Sequence, residues 1–164
     1  MILIGIGSNL ASREYASPRE TAAAALIELQ SAGVEIVGRS RWYLSEPVPS
    51  SEQPWFVNAV ASVATALDPG GLLDQLLDLE SRFGRERGAP NAARTLDLDL
   101  LDYDGRTIET TRLVLPHPRL HHRRFVLAPL CDIAPDWRHP VLGATAAALL
   151  AALPPGQPVH PMGD

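Results

Sequence analysis

Lysine is missing altogether: all 14 basic side chains among the 164 residues are arginine. A P-loop lysine is therefore excluded, and phosphate would have to be gripped by guanidinium and backbone N–H groups. The single cysteine, Cys131, cannot form an internal disulfide, which fits a reducing compartment. Long apolar runs are also lacking. The opening Met1-Ile2-Leu3-Ile4 stops at Gly5 without a basic flank, too short for a signal peptide or a membrane span. We read the chain as cytoplasmic, with no membrane partner. A basic excess is missing too: the formal net charge of −5 argues against a general nucleic-acid binder. A local cluster of arginines can still dominate one cleft for a small anionic substrate. Nothing points to an obligate protein partner.

What is present suits one globular domain, with 46% hydrophobic and 20% charged residues. Ile2, Leu3, Ile4 and Ile6 predict a buried central strand over 2–7. Ser17-Pro18-Arg19-Glu20 predicts a capped helix reaching about Ala32, closed by Gly33. Val34 to Leu44 reads as a second strand and Trp55 to Ala66 as a third. Between them lies a segment from Ser45 to Pro54 with three prolines, too broken for regular structure and long for a connection. Asp68-Pro69 opens a second helix to about Phe83, closed by Gly84. Arg85 to Ala93 reads as a loop, Thr95 to Tyr103 as a fourth strand, and Asp104-Gly105 as a turn. Short elements follow: Arg106 to Glu109, a turn at 116–118, and helices over about Phe125 to Ile133 and Ala144 to Leu153. Residues 1–153 form the expected domain, and the proline-rich tail 154–164 is expected to be disordered. The order β-α-β-β-α-β is that of the ferredoxin-like α+β fold. It predicts a mainly antiparallel sheet with helices on one face, plus a C-terminal extension.

The fourth strand carries the chemistry. In Thr95-Leu96-Asp97-Leu98-Asp99-Leu100, alternation puts Asp97 and Asp99 on one face while the leucines enter the core. Carboxylates roughly 6–7 Å apart along a strand repel, and a hard cation such as Mg²⁺ relieves that repulsion. A solvated acidic face is the alternative, though aspartate is a poor strand former. Arg85, Arg87 and Arg94 cluster just ahead; guanidinium forks match phosphate oxygens and can stabilise charge during phosphoryl transfer. Glu80 lies within the apolar stripe of the second helix, so it must meet a donor, either an arginine or a ligand group. Phe56 and Asn58 share a strand face and could wall a flat heteroaromatic ring opposite Phe125, or simply be core residues. His117 sits in a Pro-His-Pro turn flanked by Arg112 and Arg123, placed to bond phosphate. His121 and His122 lack a zinc spacing.

Gly5-Ile6-Gly7-Ser8-Asn9-Leu10, Gln53-Pro54-Trp55-Phe56-Val57-Asn58, Gly84-Arg85-Glu86-Arg87, Arg94-Thr95-Leu96-Asp97-Leu98-Asp99 and Pro116-His117-Pro118-Arg119-Leu120 occur in this order. Together they make a chain that resembles the 6-hydroxymethyl-7,8-dihydropterin pyrophosphokinases of the folate pathway, over about residues 3–136. The resemblance implies a ferredoxin-like fold and transfer of the β,γ-pyrophosphoryl unit of ATP, releasing AMP. It implies that Asp97 and Asp99 bind two Mg²⁺ and that Arg85 and Arg94 are loop arginines assisting transfer. Glu80, Arg87, Arg112, His117 and Arg123 would touch ATP; Ser45, Val48, Phe56, Asn58 and Phe125 would surround the pterin.

Three departures stand out. A pterin-stacking tryptophan of the family is replaced within Pro90-Asn91-Ala92-Ala93, Glu46 stands where proline is common, and the arginine loop is about one residue short. Two other readings of the same residues are a different metal-dependent nucleotidyl or phosphoryl transferase on this fold, and a non-catalytic ligand-sensing module.

Overall fold

Capping side chains set where the first helices begin. In the computed structural model, which describes residues 1–84, 93 and 95–163, helix α1 runs Pro18–Ser31 and α2 runs Pro69–Arg82. Ser17 Oγ accepts the Glu20 N–H, and Glu20 returns to the Ala16 N–H, tying off donors that the first turn cannot satisfy itself. Asp68 accepts the Gly71 N–H at 2.7 Å in the same role for α2. Gly33 and Gly84 follow these helices at φ +86° and +83°, a left-handed conformation that glycine adopts without strain.

The strands are β1 (Ile2–Ser8), β2 (Glu35–Arg39), β3 (Tyr43–Ser45), β4 (Phe56–Ala64) and β5 (Asp97–Tyr103). They pair antiparallel in the order β5-β1-β4, with β2 and β3 both on the outer side of β4. This is the expected α+β ferredoxin-like arrangement, with the second strand broken in two. Ser40 sits in the break, buried, with its Oγ accepting the Val60 N–H. A side-chain oxygen thus stands in for one ladder carbonyl while the Ser40 N–H still donates to Val60 O at 2.9 Å, and Trp42 turns into the core. A small hairpin of β6 (Ile108–Glu109) and β7 (Val114–Leu115) follows.

The two sheet faces carry different cores. Ile2, Ile4, Ile6, Leu96, Leu98 and Leu100 pack with Leu26, Leu29, Leu72, Leu76 and Leu79 from α1 and α2. Leu3, Val60 and Leu101 face the other way, against Val126, Leu127 and Leu130 of α3 (Arg124–Ile133). A fourth helix, α4 (Ala146–Ala152), backs α3. The C-terminal extension therefore covers the face that the two earlier helices leave open.

A register shift makes this division possible. Leu3 pairs with Asp102 but Ile4 with Leu100, so Leu101 is an extra residue in β5. The bulge sends Tyr103 to the first core and turns Asp102 towards the second face. There Asp102 is buried and accepts the Trp137 indole N–H at 2.9 Å and the Gly105 N–H at 3.2 Å.

The tail differs from expectation. Residues Val159–Pro161 form β8, which pairs antiparallel with β3 and gives the sheet a sixth strand. The proline-rich composition suggested disorder, but the unpaired edge of β3 supplies the backbone partners that a free tail would lack.

Asp102→Ala leaves the Trp137 and Gly105 donors without their acceptor and is expected to cost about 1–3 kcal/mol. Asp102→Asn, which keeps one acceptor oxygen, costs less. Urea unfolding of the three proteins measures this, and an unchanged Asp102→Ala midpoint would contradict it.

Candidate active site

The site begins with two glycines. On β1, Gly5 pairs with Asp99 and Gly7 with Asp97 on one side; Gly7 pairs with Asn58 of β4 on the other. These residues share the α3 face of the sheet, beyond the point where Leu3 fills it. A Cβ on Gly7 would lie 2.9 Å from Asn58 Oδ1 and 3.9 Å from Phe56 Cδ1, so glycine leaves room for these two side chains. Phe56, Asn58 and Asp97 line a cavity of about 370 Å³.

Strand alternation holds for the acidic pair: Asp97 and Asp99 are half-buried on the open face, and Leu96, Leu98 and Leu100 are in the core. Asp97 lines the cavity. Asp99 Oδ2 is 3.5 Å from Arg123 Nη1, and its Oδ1 is 4.0 Å from His117 Nε2. Among the described residues no cluster of three or more His, Cys, Asp or Glu could hold a metal. The pair nonetheless suits Mg²⁺, which commonly takes one or two carboxylates and completes its shell with water and phosphate oxygens.

His117 is fixed by its turn. Its N–H donates to Leu101 O at 2.8 Å, and its Nδ1 accepts the Arg119 N–H at 3.1 Å. An accepting Nδ1 puts the ring proton on Nε2, the nitrogen facing Asp99. Burial, then the charges of Arg123 and Arg119, push the imidazole pKa down to about 4 against a weaker pull from Asp97. At neutral pH the ring is an uncharged Nε2–H donor, so its approach to Asp99 is not an ion pair.

All five residues expected around a pterin line the cavity: Ser45, Val48, Phe56, Asn58 and Phe125. Asn58 and Ser45 are both buried, and the Asn58 amide Nδ2 donates to Ser45 Oγ. That bond leaves Asn58 Oδ1, which lies over Gly7, as the acceptor of the amide. The Arg123 guanidinium carbon lies 5.4 Å from the Phe125 ring centre, so one side chain joins the aromatic end to Asp99.

Other expected residues lie elsewhere. Glu80 is buried on α2 and its Oε2 accepts the Leu98 N–H of β5 at 3.0 Å. One donor that its place in an apolar stripe demanded is thus the backbone amide of Leu98. Arg112 is exposed and ion-paired with Asp74 of α2, and is not among the described residues lining the cavity. Arg85, Arg87 and Arg94, together with most of the altered Pro90-Asn91-Ala92-Ala93 run, lie outside the described residues. Sequence reasoning missed five lining residues: Glu46, Pro47, Arg119, His122 and Gln157. Glu46 and Arg119 stood beside motif residues and could have been found by proximity. Gln157, in a Pro-Gly-Gln-Pro stretch, gave no signal.

Residues 3–135 match the family described as 7,8-dihydro-6-hydroxymethylpterin-pyrophosphokinase (HPPK). The chain belongs to this pyrophosphokinase family. Relatives named 2-amino-4-hydroxy-6-hydroxymethyldihydropteridine pyrophosphokinase share its sequence. The Pseudomonas aeruginosa protein is 41% identical over 154 residues, covering 93% of this chain and 91% of that protein. The Methylorubrum extorquens protein is 38% identical over 154 residues, with 93% and 92% covered. The Synechocystis sp. protein is 43% identical over 119 residues, 73% of this chain, which spans 60% of that relative's length. A crystal structure of Plasmodium falciparum HPPK-DHPS, wild type with pteroate, superimposes with a TM-score of 0.68 at 16% identity. It covers 92% of this chain and 41% of the larger one, a likeness of fold. No described helix of this pyrophosphokinase-family chain is long and apolar enough to cross a membrane.

The depressed His117 pKa makes a signed prediction. The unfolded chain takes up its proton near the ordinary histidine value of 6.5, the folded one only near 4. The stability tied to neutral His117 is therefore complete above pH 6.5 and lost as pH falls through about 4. Two-dimensional NMR of the metal-free protein should show this imidazole titrating near pH 4. A midpoint at the ordinary value would refute the burial argument.

Proposed function

We infer that the protein transfers pyrophosphate from ATP to 6-hydroxymethyl-7,8-dihydropterin and releases AMP, a step of folate biosynthesis. One observation carries this reading: Asp97, with Asp99 next to it on the same strand face, lines a cavity whose other walls include two aromatic rings and a buried amide. A flat heterocycle fits between Phe56 and Phe125, with Asn58 Oδ1 and the Ser45 hydroxyl available to its polar edge. Its hydroxymethyl group would then point towards Asp97.

Asp97 and Asp99 would hold Mg²⁺, in two ions by our reading, which would neutralise the phosphate oxygens and clamp the in-line displacement. The chain's own groups supply the rest. Neutral His117 offers Nε2–H to a phosphate oxygen without needing to lose a proton at working pH. Arg123, already beside Asp99, adds a permanent positive charge where the polyphosphate would lie. Arg85 and Arg94 would stabilise charge on the transferred group, and Arg87 and Arg112 would hold ATP. Glu80 would support the same site through β5, since its carboxylate bonds the amide between the two aspartates.

Incubation with Mg²⁺, ATP and 6-hydroxymethyl-7,8-dihydropterin should yield AMP only when the pterin is present. ADP formation, or pterin-independent turnover, would sink the assignment. Asp97→Ala and Asp99→Ala are each expected to lower turnover by about 10³-fold or more, with near-unchanged thermal stability. Substantial activity in either variant would count against the metal role.

A further inference from the structure

The tail does more than extend the sheet. Ser45 pairs with Val159, the Glu46 N–H donates to Pro158 O at 3.2 Å, and the Gln157 side-chain Nε2–H donates to Glu46 O. Three consecutive tail residues are thus zipped to the two residues that begin the cavity wall. The first link of the wall is Ser45, the partner of Asn58. Gln157 itself lines the cavity beside Glu46, Pro47 and Val48.

The chemistry of the clamp is specific. A carbonyl oxygen only accepts, so the Gln157 amide nitrogen must face Glu46, and Gln157 Oε1 remains an acceptor. Glu46 has the backbone N–H that a proline at this position would lack, so its bond to Pro158 depends on the residue being other than proline. Elsewhere in this wall Ser45 and Pro47 are buried and the Ser50 hydroxyl donates to Glu46 Oε1 at 2.5 Å, whereas the Glu46 carbonyl is held by Gln157. Val48 is 56% exposed, and the chain beyond it to Trp55 has no regular structure.

We propose that Gln157 is a positioning residue for the pterin: by clamping the Glu46 carbonyl it holds the 45–48 wall at the width of a flat ring facing Phe125. This rests on the cavity being the pterin site. The tail does not depend on Gln157 for its own place. The Met162 N–H donates to Trp42 O at 2.8 Å, Arg19 donates to Gly163 O at 3.2 Å, and the His160 ring stacks on Trp55. Loss of the clamp therefore loosens the wall without releasing the tail.

The test is steady-state kinetics with AMP as readout, beside thermal melting. Gln157→Met keeps the volume but removes the donor, and is expected to raise the KM for the pterin about tenfold. Its kcat and ATP KM stay within about twofold and its melting temperature is unchanged. Gln157→Lys restores a donor and brings the pterin KM back towards the parent value. A Gln157→Met pterin KM within about twofold of the parent overturns the inference, as does a fall in kcat that tracks a lower melting temperature. A parent protein that releases no AMP with the pterin overturns the assigned reaction itself, and this inference with it.

Discussion

Everything at the site depends on the antiparallel pairing of one glycine-bearing strand between two polar ones. Gly5 and Gly7 on β1 stand beside Asp99 and Asp97 on β5, and Gly7 stands beside Asn58 on β4. Any side chain at Gly7 would meet the Asn58 amide, so the absence of a Cβ lets Asn58 keep its place in the cavity lining. The pairing register also sets the distance between the acidic end and the aromatic end. A one-residue slip of β5 would bury both aspartates in the leucine core and present leucines to the cavity.

The sheet divides its labour by face. Against α1 and α2 it presents an aliphatic core in which Leu96, Leu98 and Leu100 anchor the acidic strand. Against α3 the same sheet is apolar only in part, through Leu3, Val60 and Leu101, and then turns polar. That boundary lies where β1 changes from leucine to glycine. The bulge at Leu101 serves the same division, because it keeps Tyr103 on the first face while Asp102 binds Trp137 on the second.

The charges are arranged by desolvation as much as by proximity. Arg123 bridges Asp99 and Phe125, and the His117 ring is held neutral by burial and by the neighbouring arginines. A chain with a net charge of −5 can thus gather positive charge locally, with Arg119 and Arg123 both lining one cavity. Arginine is the residue that makes this possible here, since no lysine is available. The tail adds the last wall, tying Gln157, Pro158 and Val159 to Ser45 and Glu46.

Local rules are readable from local residues, and those features were legible. Ser17 and Asp68 marked the helix starts, the leucine–aspartate alternation placed both carboxylates on one face, and the parity of Phe56 and Asn58 put them on a shared wall. Each follows from bonding or periodicity within a few residues of chain. The break at Ser40, the bulge at Leu101, the Leu98 amide as a donor to Glu80, and the recruitment of Gln157 were not legible. Each depends on a partner 18 or more residues away: Val60, the β1 register, β5, and the open edge of β3. The sequence by itself determined which groups exist and which way each points along its own element. Only the tertiary structure decided which of them meet, because an unpaired strand edge or a buried carboxylate can be satisfied by any donor that folding brings within reach.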